Sequence, residues 1–122
     1  MKTGVDIVEI KRLEKYVDDD KFLKKYFTIS EIEYINNKRG ESKLQALAGL
    51  YASKEAVLKT FGIGIGRGLE LKEICINHDE FGQPFVEVDA KIQHYLNING
   101  CSEIAVSISH EKEYAIAFCV IN

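Results

Sequence analysis

From Thr3 to Ile10 the chain is rich in β-branched residues, which predicts a strand whose alternation puts Asp6 on the side of Val8 and Ile10. Short amphipathic helices are expected at 11–17 and 20–26. The run Thr28-Ile29-Ser30-Glu31 offers the next helix start, with Ser30 as N-cap and Glu31 and Glu33 in the first turn; that helix should end near Lys38, Arg39 and Gly40. Ser42 then opens the longest helix, which runs to about Phe61 before glycines stop it. Most of its circumference is apolar. Stepping about 100° per residue from Glu55 puts Leu44, Ala48, Tyr51, Ala52, Leu58 and Lys59 on one face and turns Lys43 and Lys54 away. Glu55 is therefore expected in the middle of a packed stripe, where a carboxylate is costly without a cation or hydrogen-bond donors.

Beyond the glycines, Leu71–Asn77 reads as a strand, residues 79–82 as a turn and Phe85–Val88 as the returning strand of a hairpin. Asp89 caps a helix that extends to about Leu96. Two more strands, Glu103–Ser109 and Tyr114–Ile121, close the chain around a short turn at 110–113. The pattern is α+β, with antiparallel strands packed on a long central helix. One proline, no repeat, no low-complexity tract and no Gly/Ser linker leave no internal boundary, so residues 1–122 are expected to form one small domain.

A chain of 122 residues with 46% hydrophobic content can bury a real core, but a deep cleft strains that size and favours a site shared between subunits. No stretch approaches the ~20 apolar residues that span a bilayer, and the N-terminus lacks a leader pattern, so a cytoplasmic protein is expected. Cys75, Cys101 and Cys119 are far apart and without a Cys-x-x-Cys pair, which points to packing roles in a reducing compartment rather than disulfides or zinc. The net charge of −3 divides into +3 over residues 1–69 and −6 over residues 70–122. Lys11, Arg12, Lys15, Lys21, Lys24 and Lys25 concentrate the basic side, interrupted by Glu14 and Asp18–Asp20. Those residues make either a solvated helical face or a landing surface for an acidic partner. The overall acidity and the lack of a binding signature argue against nucleic acid.

Gly62, Gly64, Gly66 and Gly68 alternate after the long helix. The run follows a helix instead of a strand and lacks a Gly-Lys-Ser/Thr ending, so it is neither a P-loop nor a dinucleotide fingerprint. It either ends the helix or lets backbone N–H groups approach an oxyanion. Glu55 and Lys59 are spaced as an ordinary helix pair worth ~0.2–0.5 kcal/mol on an exposed face, and far more on a buried one. Asp6, in a strand of Val and Ile, either accepts hydrogen bonds from a loop or, if its strand lies on the long helix, joins Glu55 as a second hard oxygen ligand for magnesium. His110 shares the side of Ile104, Val106 and Ile108 and is either a core or capping histidine or a base or phosphate contact. His78 and His94 receive no role.

Five segments, in order, resemble the small bacterial 4′-phosphopantetheinyl transferases of the holo-[acyl-carrier-protein] synthase family. They are Gly4 and Asp6 with Arg12; Phe27-Thr28 with Glu31; Ala52 through Ala56, holding Lys54 and Glu55, with Lys59 and the glycines; Gly82-Gln83-Pro84; and Ser107 through His110 followed by Ala115 and Ala117. The resemblance implies magnesium on Asp6 and Glu55, and Lys59 near the phosphates of coenzyme A. It places Gly62, Gly64, Gly66, Gly82, Pro84 and His110 along a coenzyme A site between the subunits of a homotrimer. It also makes Arg12, Lys21 and Lys25 part of the surface that receives acyl carrier protein. Two positions depart from the family pattern: Leu50 stands where an arginine is common, with Lys43 and Arg39 the nearby candidates to replace it, and Tyr51 stands where Phe or Trp is usual.

The implied reaction is attack by a carrier-protein serine on the β-phosphorus of coenzyme A, which releases adenosine 3′,5′-bisphosphate and serves fatty acid biosynthesis. Its base is a water at the metal, a carboxylate or His110. Two rivals remain at this level: a magnesium-dependent nucleotide or pyrophosphate hydrolase using the same ligands, and a non-catalytic module whose basic helices dock an acidic protein.

Overall fold

The computed structural model describes residues 1–63 and 68–122. Strand β1 (Lys2–Glu9) leads through a 3-10 segment (Ile10–Tyr16) into helices α1 (Asp20–Tyr26), α2 (Ile29–Asn36) and the long α3 (Gly40–Thr60). After a 3-10 turn at Leu71–Glu73 come β2 (Ile76–His78), β3 (Pro84–Val86), helix α4 (Ala90–Ile98), β4 (Ile104–His110) and β5 (Tyr114–Ile121). The α+β class holds. β1, β5 and β4 form an antiparallel sheet in that order, and β2 and β3 pair as a separate hairpin.

Helix α3 lies on one face of the three-stranded sheet, and small residues bring the two close. A Cβ added to Gly4 would come within 2.5 Å of the Ala56 carbonyl oxygen and of Thr60 Oγ1, so only glycine fits at this crossing. Ala52 and Ala56 on the helix, and Ala115 and Ala117 on β5, are fully buried at the same contact. The register aligns Asp6 with Ala117 and Ile108, and Val8 with Ala115 and His110. Asp6 and His110 therefore share the helix-facing side, two strand spacings across and two residues along the sheet, or about 12 Å apart.

On its other side α3 packs against the 3-10 segment, α2 and β2. Leu47, Leu50, Ala48 and Leu58 are sealed, at about 1.5–3 kcal/mol for each large aliphatic chain. Because the helix is covered on two sides, the single-stripe reading is corrected: Lys54, expected to point away, is fully buried, whereas Glu55 is half-buried at the rim.

Several local expectations are also corrected. Thr28, not Ser30, caps α2: its hydroxyl accepts from Glu31 N–H at 3.3 Å while Glu31 Oε1 accepts from Thr28 N–H at 2.8 Å, a capping box that leaves Ser30 exposed. α2 stops at Asn36, before Lys38, and α3 begins at Gly40, before Ser42. Residues 71–77 are not one strand. Glu73 Oε1 reaches back to Glu70 N–H at 2.9 Å and closes a 3-10 turn, leaving only Ile76–His78 to pair with β3. Asp89 caps α4 through Ile92 N–H as expected, and β5 spans the expected residues. All three cysteines are free thiols; Cys101 and Cys119 are buried, and burial pushes the Cys119 thiol up. Among the described residues no helix is long and apolar enough to cross a membrane.

Candidate active site

The close crossing at Gly4 brings Asp6, two residues on, beside the last turn of α3. Lys59 Nζ donates to Asp6 Oδ1 at 2.9 Å and to the Val5 carbonyl at 3.1 Å. The expected Glu55–Lys59 pairing is thus corrected, since the ion pair that Lys59 makes is with Asp6. Glu55 faces the same space. Burial first, and then the Asp6 charge, push its carboxyl above the ordinary value, while Lys59 and the nearby Tyr51 hydroxyl pull the other way. The Tyr51 hydroxyl is itself pushed up by burial and by Glu55 and Asp6. One half-exposed ammonium therefore serves two carboxylates that repel each other.

This donor set suits a small hard cation. Asp6 and Glu55 could supply two oxygen ligands from a strand and a helix. A site with few protein oxygens, completed by water and phosphate, is the pattern magnesium favours.

A second feature is a cleft of about 300 Å³ lined by Lys38, Leu50, His78, Gly82, Pro84 and His110. The hairpin turn shapes its rim: Asp79 Oδ1 accepts from the N–H groups of Phe81 and Gln83, both at 2.9 Å, and Gly82 sits at φ +81°, which favours glycine. His78 and Tyr34 stack with ring centroids 4.0 Å apart, and Lys38 Nζ lies 4.8 Å from the Tyr34 ring centre. Burial, then Lys38, hold the His78 imidazole below its usual range.

The structure thus gathers Gly82, Pro84 and His110 at one cleft, and Asp6, Glu55 and Lys59 at another place. None of the latter three lines the cleft, and Gly49, which does, precedes Lys59 by ten residues or about 15 Å of helix. Gly62, at φ +70°, ends α3 with its N–H on the Lys59 carbonyl at 3.0 Å. Gly64 and Gly66 lie outside the described residues. Lys38 and His78 were missed by sequence reasoning, because a helix-end lysine and a turn histidine carry no local signal. Lys43 is held by Asp18 at 2.6 Å, and neither it nor Arg39 lines the cleft, so the cation beside Leu50 is Lys38.

Arg12, Lys21 and Lys25 are exposed on the 3-10 segment and α1, above an aromatic ledge in which Tyr16 stacks on Phe22 at 4.0 Å and Phe22 meets Tyr26 at 5.0 Å. Tyr26, on the same helix as Lys21 and Lys25, lies near enough to Tyr51 to push its hydroxyl up slightly. On the opposite side of the sheet Val5, Ile7, Tyr114, Ile116 and Phe118 are 41–62% exposed. Val5 pairs with Phe118 and Ile7 with Ile116, making a continuous apolar face.

A family model described as the 4′-phosphopantetheinyl transferase superfamily matches residues 2–119. The holo-[acyl-carrier-protein] synthase of Ruminiclostridium cellulolyticum is 39% identical over 124 residues, an alignment covering 100% of this chain and 92% of that protein. The Thermoanaerobacter pseudethanolicus enzyme of the same name is 44% identical over 119 residues, covering 97% and 83%. Among solved structures, the Helicobacter pylori synthase in complex with coenzyme A superposes with a TM-score of 0.83 at 31% identity, covering 98% and 99%. The Bacillus anthracis synthase in complex with CoA (3′,5′-ADP) gives 0.82 at 31%, covering 98% and 94%. The chain belongs to the 4′-phosphopantetheinyl transferase superfamily and, within it, to the holo-[acyl-carrier-protein] synthases.

Proposed function

We propose that this protein transfers 4′-phosphopantetheine from coenzyme A to a serine of apo acyl carrier protein, releasing adenosine 3′,5′-bisphosphate, as a magnesium-dependent cytoplasmic enzyme serving fatty acid biosynthesis. The observation that carries this reading is the Asp6–Glu55–Lys59 cluster, two carboxylates sharing one lysine at the rim of the family's fold. Magnesium held by Asp6 and Glu55 would offset the charge of the pyrophosphate and its leaving group.

The chain's own residues supply the rest. Lys59 is more than half exposed and, among the described residues, anchored only to Asp6 and a carbonyl, so its ammonium can turn to a phosphate oxygen without leaving a buried charge behind. The cleft at Gly82, Pro84 and His110, which carries Lys38 and no carboxylate, suits the nucleotide end of the donor. The serine proton goes to Glu55 or to His110. A His110→Asn variant separates the two: turnover near wild type removes His110 as the base.

Two features support a homotrimer with shared sites. The cleft and the carboxylate cluster lie apart within one chain, and the sheet presents an apolar face that a neighbour would cover. The exposed basic face of Arg12, Lys21 and Lys25 fits an acidic carrier protein.

The test is nucleotide release. Incubation with coenzyme A and magnesium should yield adenosine 3′,5′-bisphosphate only when apo carrier protein is present, in equal amount to carrier modified. Release without carrier would mark the chain as a hydrolase; carrier binding without release would mark it as a docking module.

A further inference from the structure

Next to Glu55, and facing the other way, the helix carries a charge pair that the proposed chemistry does not use. Lys54 Nζ donates to Glu31 Oε1 at 2.5 Å, and the two side chains are 1% and 0% exposed. Both oxygens of Glu31 are engaged: Oε1 also accepts from Thr28 N–H at 2.8 Å, and Oε2 accepts from Ile76 N–H at 2.9 Å. The ammonium lies 4.9 Å from the centre of the Phe27 ring. One carboxylate therefore joins the start of α2, the middle of α3 and strand β2. Burial pulls the Lys54 ammonium down against the upward pull of Glu31, so the site is held by geometry at an electrostatic cost.

We infer that Glu31 and Lys54 are positioning residues for transfer, locking the rotation of α3 so that Glu55 and the hairpin carrying His78, Gly82 and Pro84 stay in register. Leverage makes this register sensitive. Lys54 and Glu55 are consecutive on a rigid helix, so any turn that moves one moves the other. A side-chain carboxylate sits about 5–6 Å from a helix axis, and a rotation of only about 10° displaces it by about 1 Å. A misplacement of that size can cost on the order of 10²-fold in rate. The hairpin needs such a tether because a two-stranded sheet is marginal alone, and Ile76 N–H gives it a direct bond to the carboxylate that grips α3. Well-packed apolar residues generally stabilise as well as a buried ion pair does, so stability alone gives no reason for a charge here.

The test compares Lys54→Arg, which keeps the charge pair, with the neutral double variant Glu31→Gln, Lys54→Met, in steady-state transfer well below each variant's melting temperature. This inference rests on the transfer reaction proposed above. The wild-type chain reads that proposal separately: an inactive wild type overturns the reaction itself, and with it this role. With active wild type, the expected result is a folded double variant whose kcat falls at least about tenfold, with KM for carrier within about twofold because the basic face is untouched. Lys54→Arg should stay within about threefold of wild type. A merely structural pair would lower the melting temperature and leave kcat alone. The inference is overturned by a smaller fall in kcat, by an arginine variant as slow as the neutral one, or by a double variant that does not fold, since that would assign the pair to stability.

Discussion

Lys54 and Glu55 are neighbours in sequence and opposites in environment. Lys54 enters a sealed pocket where both Glu31 oxygens are hydrogen-bonded and the two charges match. Glu55 emerges at a rim where two carboxylates share one lysine and burial already disfavours ionisation. A satisfied charge cluster specifies geometry, whereas an under-satisfied one that solvent can reach is ready for a ligand. The same helix supplies both because it is covered on two sides and open along the third.

If this contrast is right, removing one charge at the rim should abolish chemistry without touching the fold. Glu55→Gln is expected to cost at least about 10³-fold in kcat while the melting temperature stays within a few degrees, a combination read by activity and thermal unfolding together. Normal turnover in that variant would remove the distinction between the two clusters.

A smaller effect is expected from Gly4→Ala, which leaves both clusters' residues intact but disturbs their scaffold. The added Cβ meets Ala56 and Thr60 backbone and side-chain atoms at 2.5 and 2.6 Å and must lift α3 from β1. Overpacking of this kind costs about 1–3 kcal/mol, measurable by urea unfolding, and activity should fall as Asp6 parts from Lys59. Unchanged stability would mean that the crossing is looser than described.

Charge reversal on the basic face comes next. Arg12→Glu with Lys25→Glu should raise KM for carrier protein by roughly tenfold and leave KM for coenzyme A nearly unchanged, with the difference shrinking at high salt. An equal rise in both constants would place coenzyme A on that face.

The mildest signature is in pH. Because the Glu55 carboxyl titrates above its ordinary 4.5 in the folded chain, the folded state holds that proton more tightly than the unfolded one. The stability this gives is complete below that ordinary value and is lost as pH rises through the elevated one. Without metal, the melting temperature of wild type relative to Glu55→Gln should therefore decline over that window. Magnesium should recover part of the difference at neutral pH.

Much of this was readable beforehand. The density of β-branched residues in β1, the alternation of β5 and the Asp89 cap are local signals, and each appears where the sequence places it. Asp6 was legible as a candidate because a carboxylate in an apolar strand is out of character. The burial of Lys54 was not, because counting from Glu55 assumes one buried stripe and α3 has two buried sides. Part of it was available in Thr28-x-x-Glu31, a capping-box spacing that marks Glu31 as turned inward toward Thr28. Lys38 and His78 reach the cleft through the tertiary placement of α2 against the hairpin, which no local pattern encodes.

The central claim is that the rim cluster, with magnesium, modifies carrier protein. Intact mass of apo carrier protein after incubation with this chain and coenzyme A tests it most directly, with magnesium present or chelated. The account predicts a gain of one phosphopantetheine mass with magnesium and none with chelator or with Glu55→Gln. An unchanged carrier mass under all conditions, or equal modification without metal and without Glu55, would contradict it.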